Sequence, residues 1–543
     1  MKNKGLILLF AIGGLLTSCS DAYEIDEKGG IYNSDEAFRN AQDVSRGINA
    51  IYSVIPASRE VDFNSVFTDE VSIGIENGGQ GLISGEYSFN MESGNSDAAA
   101  LWNGYYSMIN RINRLEVVAK KLMSNTTIAD EISSQKDNLG ELYILRAYAH
   151  YKLFSYFTPN YTNGSGPSVI KLDHVPPYDY GYSIKRSTVN EIKQFILDDL
   201  KLATETRQKG WGNYDYVNNG VIESIRTKLY AMTGDWDLVL QHGEEVLKQY
   251  TPIGADDYAK LFAKVDKDFV EPAAGREVIF RLHGTVNSGP SPAANWYSVR
   301  PRGGDGSPIY EMGRSLYNEL DKLDQANTGK DFTTGRGDVR YQVNLLPDLG
   351  ANYPGTKVLT TYESATQSDY TSKDILLIGK YRGTEGSNLR NSINLFRVTD
   401  ILLAMAEARA AKGQFIGSST DPDDVLNMTT DVYSILYTVR YNRWLPTDIS
   451  GIDMPTIANS QDAFKAILNE RRVEFAFEGH RYLDMKRLGA KAGSPGFTRY
   501  SKDCVINGAC NLPVTSYKMT FPIPIGEMNG NKSLTPADQN PGY

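Results

Sequence analysis

Between Glu470 and Gly489 the chain reads ERRVEFAFEGHRYLDMKRLG. Glu470, Glu474 and Glu478 recur every four residues, so on a helix over 462–478 they line up as one acidic row whose members repel one another. Phe464, Ile467, Leu468 and Phe475 share one face of that helix, and Val473 and Phe477 lie on the other side. A helix that is apolar on two sides is buried. Buried carboxylates need arginine partners, because an unpaired buried charge costs several kcal/mol. Arg471, three residues before Glu474, is the nearest cation able to neutralise the row. Together with Arg481 it completes an expected ion network of Glu470, Arg471, Glu474, Glu478 and Arg481 that fixes two helices against each other. Gly479 is expected to end the first helix and Gly489 the second. A catalytic carboxylate pair would need an open cleft between the groups, which a helix with two buried faces does not offer. His480 reads as a hydrogen-bonded structural histidine rather than a base.

The N-terminus bears on the compartment. Lys2 and Lys4 precede an apolar run, 6–16, that is too short for a permanent membrane span. Leu16-Thr17-Ser18-Cys19 matches a bacterial lipobox, which makes 1–18 a signal peptide and Cys19 the lipidated first residue of the mature chain; the alternative is an ordinary secretory signal with a chance cysteine. Stable anchoring then takes more than one acyl chain. Residues 19–30 read as a polar tether. The formal charge is −10, and the loss of Lys2 and Lys4 makes the mature chain more acidic still, so a nucleic-acid partner is not expected. Cys504 and Cys510 bracket a turn-prone VINGA loop, where they can either bridge or stay as two thiols. No Pro/Ser linker divides the chain, so 31–543 is expected to be a single body.

Most periodic segments have helical spacing. They lie at 37–52, 101–122, 139–157 (ended by Thr158-Pro159), 189–203 (after the capping residues Ser187-Thr188), 395–413 and 431–441. NNGVIESIRTKLYAMTGDWDLVLQHGEEVLKQY is two helices joined at Thr233-Gly234-Asp235, and its small-residue and Trp236/Leu240 pattern resembles a tetratricopeptide repeat. The fold class is therefore mainly α. Degenerate tetratricopeptide-like hairpins over about 37–252 and 395–489 carry a large irregular layer, about 63–100 and 272–391, rich in Gly, Pro, Asn, Ser and Tyr. Short strands are expected within that layer at 278–282 and 375–381. Loops this long in a compact body are often functional.

NERRVEFAFEGHRYLDMKRLG is similar to the C-terminal signature of the SusD/RagB family of surface nutrient-binding lipoproteins of Bacteroidetes. LWNGYYSMINRINRL, LRAYAHYKLFSYF, YAMTGDWDLVLQHGEEVL, LFRVTDILLAMAEARAAKG and the closing FPIPIGEMNGN and QNPGY resemble it too, in the family's order. The resemblance spans essentially the whole mature chain. It implies a tetratricopeptide-like scaffold under an irregular layer and no chemistry on the ligand. It also implies a SusC-like TonB-dependent transporter as partner, reached from a lipid anchor in the outer membrane, facing the cell exterior. Nutrient sites in the family lie mostly in the irregular layer.

The residue types in that layer point the same way. A pyranose offers an apolar CH face to a flat aromatic and a rim of hydroxyls to Asn, Asp and Arg. The candidates are Asp69, Asn77, Tyr87 and Phe89 in the first loop, and Asn295, Trp296, Tyr297, Arg300, Arg302 and Tyr310 in the second. Trp296, inside SPAANWYSVRPRGG, is the first choice; the competing reading is that it pins its loop to the scaffold. Trp102 and Trp236 sit in helical motifs and read as packing, Trp444 as core, and Trp211 as ambiguous. No nucleophile elbow, P-loop, HExxH or EF-hand loop occurs, so no catalytic residue, metal site or cofactor is expected. The leading expectation is oligosaccharide capture. Peptide capture on the same fold, a glycoside hydrolase using carboxylates such as Asp69 and Glu70, and a lid with no site of its own are the competing readings.

Overall fold

The structure is a computed structural model. It describes residues 37–73, 85–177, 179, 181–207, 210–262, 276–285, 288–292, 308–323, 337–345, 375–381, 390–416, 429–445, 449–504 and 507–543. The expected signal peptide, Cys19 and the tether lie outside them.

The helices are α1 (Ala41–Tyr52), α2 (Ala57–Val66), α3 (Ser96–Ser124), α4 (Ala129–Phe157), α5 (Val189–Thr206), α6 (Asn219–Thr233), α7 (Trp236–Leu247), α8 (Ala255–Phe262), α9 (Arg314–Leu323), α10 (Val339–Asn344), α11 (Val398–Ala411), α12 (Val432–Tyr441), α13 (Ser460–Glu474), α14 (Arg481–Leu488) and α15 (Ile525–Gly530). Polar side chains start them where the backbone needs acceptors. Asn95 receives the amides of Asp97 and Ala98, and Thr188 and Glu191 close a full capping box on α5. Helices α3 and α4 pack together, α4 packs on α5, α6 on α7, and α7 on α11, which in turn meets α12 and α13. This is the mainly α scaffold of helical hairpins that the periodicity predicts. Gly234 ends α6 at φ +82°, a conformation open to glycine, and turns the chain into α7. Gly243 lets α7 approach α11: a Cβ there would fall 2.6 Å from the Met405 side chain.

Three short two-stranded antiparallel sheets complete the described elements: β1 (Val71–Ser72) with β3 (Glu311–Met312), β2 (Val278–Leu282) with β4 (Ile393–Arg397), and β5 (Gly496–Thr498) with β6 (Asn511–Pro513). Several expected boundaries move. Residues 395–397 pair with β2 before α11 begins, because strand burial against Phe280 outweighs local helical spacing. Residues 375–381 form no strand; Ile378 makes only an isolated bridge to Leu345. The supposedly irregular stretches contain the end of α2, the start of α3, and α9 and α10. Cys504 and Cys510 form a disulfide. Trp102 is buried as expected, whereas Trp444 is only half-buried.

The acidic row is buried, and its partners come from far away. Glu470 accepts from Arg340 at 2.6 Å and from Arg440 at 2.7 Å. Glu474 accepts from Arg397 and Arg443, each at 2.9 Å, and from Arg340 at 3.2 Å. Glu478 accepts from Arg397 at 2.9 Å and Lys380 at 2.7 Å. Glu277 joins through Arg397 at 2.7 Å, and Asp338 grips Arg340 at 2.6 Å. The anions Glu277, Asp338, Glu470, Glu474 and Glu478 are thus matched by Arg340, Lys380, Arg397, Arg440 and Arg443. Arg471 does not serve this row. It bonds Asp400 at 2.7 Å and Asp484 at 2.8 Å, while Arg481 holds Asp69. The acidic row is therefore served by other cations than expected, and Arg471 and Arg481 each belong to a separate cluster. Asp338, which caps α10, is 3% exposed. Helix α13 stops at Glu474, before Gly479, because Phe477 (φ +61°) and Gly479 (φ +84°) make a left-handed turn that aims Glu478 back into the cluster.

Burial alone would raise the Glu474 pKa, but Arg443, Arg397 and Arg340 hold it below the usual carboxylate range. Glu474→Gln leaves three buried arginines short of an anion. It is expected to cost about 3–5 kcal/mol in chemical denaturation of the purified chain; a loss under about 1 kcal/mol would show that the pairing contributes little.

Candidate functional site

A cleft of about 700 Å³, large enough for a small oligomer, opens where α1 hands over to α2. Its walls are the end of α1 with Tyr52 and Ser53, the start of α2 with Ser58 and Arg59, Asp215 and Tyr216 ahead of α6, the exit of β2 at Leu282 and His283, and the turn Ser288 to Pro290. An enclosed cavity of about 40 Å³ beside the ion clusters, lined by Glu60, Lys152, Lys228 and His480, is too small for a sugar. A groove of about 320 Å³ near α15 is lined by Tyr106 and Asn531, whose polar tips are engaged with Ile170 and Ile184.

Each wall is held from behind. Tyr52 donates its hydroxyl to Glu141 at 2.6 Å and accepts the Val217 amide at 3.1 Å. Its ring meets Tyr216 edge-on at 5.5 Å and 89°. Tyr216 thereby lines the cleft with 39% of its surface open. Asp215 accepts from Arg281 at 2.5 Å, and Arg281 lies over the Tyr214 ring at 4.4 Å. His283 Nδ1 is 3.8 Å from Asp215. Ser58 accepts the Ser291 amide at 3.1 Å, which pins the 288–291 turn to α2. Arg59 contacts Glu86 at 2.9 Å, Asp62 at 3.3 Å and Asp97. Burial raises both Glu86 and Asp97 above the usual carboxylate range; the contact with Asp97 raises Glu86 further, whereas the contact with Glu86 acts to lower Asp97. A firm aromatic plate surrounded by fixed donors and acceptors suits a polyhydroxylated ligand.

The expected ligand residues divide. Asn77, Asn295, Trp296, Tyr297, Arg300 and Arg302 lie outside the described residues. Tyr87, Phe89, Tyr310 and Asp69 are described and buried, at 0%, 4%, 4% and 3% exposure, so the expectation of an open binding surface at those four is corrected. Tyr87 and Phe89 sandwich Arg499, each 4.0 Å from its guanidinium carbon, and Tyr310 stacks on Tyr87 at 5.8 Å. These rings pack the loop onto the β5 region instead of facing solvent. Asp69 is clamped by Arg481 at 2.7 Å and by Arg472 at 3.2 Å, and Glu70 is buried behind it, so neither is a surface carboxylate. His480 is half-buried and stacks on Phe475 at 4.5 Å, and desolvation lowers its pKa well below the usual value. Arg59, Asp215, Tyr216 and His283 did not emerge from composition. The tyrosines of KGWGNYDY, beside the ambiguous Trp211, were the available signal. No group of three His, Cys, Asp or Glu side chains among the described residues is arranged to hold a metal ion.

Residues 301–543 match the sequence model of the SusD family, and residues 35–211 match a model described as starch-binding associating with outer membrane. The SusD-like protein P2 of Formosa agariphila is 22% identical over 97% of both chains. A SusD superfamily crystal structure from Bacteroides thetaiotaomicron superposes with a TM-score of 0.65 at 19% identity, covering 92% of this chain and all of that one. A laminarin-binding SusD-like protein superposes at 0.60 and 18% identity, covering 93% of this chain and all of its own.

The adjacent acids Asp69 and Glu70 make opposite contributions to stability. Burial raises Glu70 from 4.5 to about 7, beyond what Ser65 and the Phe477 amide offset, so the folded state retains a proton that the unfolded chain releases. Its contribution declines as pH rises from about 4.5 to 7. Asp69, which burial alone would raise, is held at about 2 by Arg472 and Arg481; its contribution is lost as pH falls from about 4 to 2. Glu70→Gln is therefore expected to stabilise the protein by about 2–3 kcal/mol at pH 8 and leave it nearly unchanged at pH 4, read from denaturant midpoints at the two pH values.

Proposed function

The chain belongs to the SusD/RagB family, and from that premise we propose that it is a cell-surface lipoprotein that captures oligosaccharides and passes them unaltered to a SusC-like TonB-dependent outer-membrane transporter. The observation that carries the reading is the cleft with Tyr216 held as an open aromatic plate amid fixed hydrogen-bonding groups. The family description of starch binding and the laminarin-binding fold relative support a glycan as the captured class. In this reading the ring of Tyr216 takes the CH face of one sugar, and Asp215, Arg59 and His283 meet its hydroxyl rim. In the sequence, Asn295, Trp296, Tyr297, Arg300 and Arg302 follow the Ser288–Pro290 wall within about a dozen residues. We assign Trp296 a second stacking position and the polar residues, with Asn77, further hydroxyl contacts. The buried positions of Asp69 and Glu70 favour capture over hydrolysis by those two acids. Acyl chains on Cys19 would tether the protein to the outer membrane, with the cleft facing the cell exterior.

Glycan affinity gels test the binding surface. Tyr216→Ala and Trp296→Ala are each expected to weaken retention about tenfold, the loss of roughly one stacking contact, with melting temperature unchanged. If melting collapses with Trp296→Ala, that ring is packing. If a peptide library is retained and no glycan is, the captured class is peptide. For the anchor, Cys19→Ser is expected to move the protein from the membrane fraction to the soluble fraction; unchanged membrane association would remove the lipid from the account.

A further inference from the structure

The hairpin of β5 and β6 touches both elements that place Arg59 on the cleft wall. Arg59 sits near the start of α2, and its Nη2 donates to Glu86 Oε1 at 2.9 Å. A carboxyl oxygen accepts in either protonation state, so this contact does not depend on the charge of Glu86. Arg499, in the loop of the hairpin, is 3% exposed. It donates Nη2 to the Val66 carbonyl at 3.0 Å and Nε to the Thr68 carbonyl at 2.9 Å, at the far end of α2. The same guanidinium donates Nη1 to the Tyr87 carbonyl and lies between the Tyr87 and Phe89 rings, in the turn that carries Glu86. One side chain thus sets α2 against that turn. The turn closes through the Phe89 amide on the Glu86 carbonyl at 3.0 Å and the Asn90 amide on the Gly85 carbonyl at 2.8 Å. It holds Phe89 at φ +55°, a left-handed conformation that is costly for a phenylalanine and persists only where the surroundings impose it.

Resting on the glycan reading above, we infer that Arg499 and the Cys504–Cys510 bridge are a positioning device for the cleft: they fix the Glu86 turn against α2 and so fix where Arg59 meets the ligand. The hairpin is weak by itself, because β5 and β6 have three residues each and a lone short hairpin is marginal. The bridge closes its loop. Beside the bridge, the Arg499 amide donates to the Cys510 carbonyl at 2.9 Å, and Arg499 Nη1 donates to the Ala509 carbonyl at 2.9 Å. The arm that returns from the bridge therefore orients the guanidinium. Asp503, next to Cys504, takes the Tyr87 hydroxyl on its carbonyl at 2.6 Å and the Arg314 amide on Oδ2 at 2.8 Å. Tyr310, just ahead of β3, stacks on Tyr87. In the sequence Asn77 precedes the Glu86 turn and Trp296 precedes Tyr310, so the hairpin also ties the described ends of both loops assigned to the ligand.

The test uses the full mature chain on gels of starch, laminarin, mannan and xylan, with hydrogen–deuterium exchange on the same samples. A water-soluble phosphine breaks the S–S bond of the folded protein; two thiols form and the phosphine is oxidised. Cys510 is half-buried, so the reagent can reach the bridge. Reduction is expected to speed exchange of the 85–90 amides, to leave those of α13 slow, and to weaken retention about three- to tenfold on whichever polymer holds the oxidised chain. The double variant Cys504→Ser, Cys510→Ser is expected to behave like the reduced parent and to be indifferent to the phosphine. Unchanged retention while the turn loosens, or a turn whose exchange does not respond to reduction, overturns the positioning role and leaves glycan capture standing. Loss of protection in α13 would make the bridge a staple of the whole fold and overturn it too. An oxidised chain retained on none of the polymers overturns glycan capture, and this inference with it. Arg59→Ala checks the route. In that background removing the bridge is expected to weaken retention by less than about twofold more; the full additional loss would overturn the route through Arg59.

Discussion

The cluster formed by Glu474, Arg397, Arg443 and Glu277 is the constraint on which the rest of the structure depends. Helix α13 is packed on both faces, so its acidic row cannot reach water, and cations must be carried to it. They arrive from α10, β4, α12 and the turn just after α12. Arg397 closes β4 and Glu277 precedes β2, so the same cluster fixes the register of the β2–β4 pair. At the far end of β2, Arg281 grips Asp215, and Leu282 and His283 form the cleft wall. A continuous line of contacts thus runs from the buried charges to the wall of the cleft.

Charge is used in two ways along that line. In the core, full desolvation makes each ion pair specific about its partner, which suits the fixing of segments distant in sequence. At the cleft, ion pairing serves orientation: Glu86 holds Arg59 and Arg281 holds Asp215. The result is a rigid surface of dipoles and one aromatic plate, suited to gripping hydroxyls and to releasing the ligand without bond rearrangement.

The sequence made the scaffold legible because helical periodicity and caps are local. Thr188 with Glu191, and Gly234 between two amphipathic runs, each declare a helix end within a few residues. It also announced that Glu470, Glu474 and Glu478 need cations, but not which ones. Arg471 is adjacent in sequence yet points to Asp400 and Asp484, and Arg340 and Arg397 become partners only through tertiary packing. The same limit applies to the site. Tyr87, Phe89 and Tyr310 sit in glycine- and serine-rich company that reads as exposed, yet Arg499 gathers them into the interior. Tyr216 sits in a similarly polar stretch and stays open because Tyr52 holds it edge-on. Whether a loop aromatic faces inward or outward is decided by a partner far away in the chain, which composition does not reveal.

The central claim is that an ion-locked scaffold holds a preformed cleft that binds sugar without rearranging. Hydrogen–deuterium exchange on the full chain, with and without a saturating retained oligosaccharide, tests it most directly. The account predicts that amides of α13 and β4 exchange slowly in both states, and that new protection is confined to the end of α1, the start of α2, Asp215–Tyr216 and the Leu282–Pro290 wall. Fast exchange in α13, or ligand protection that spreads through the scaffold while the cleft walls stay unchanged, would contradict it.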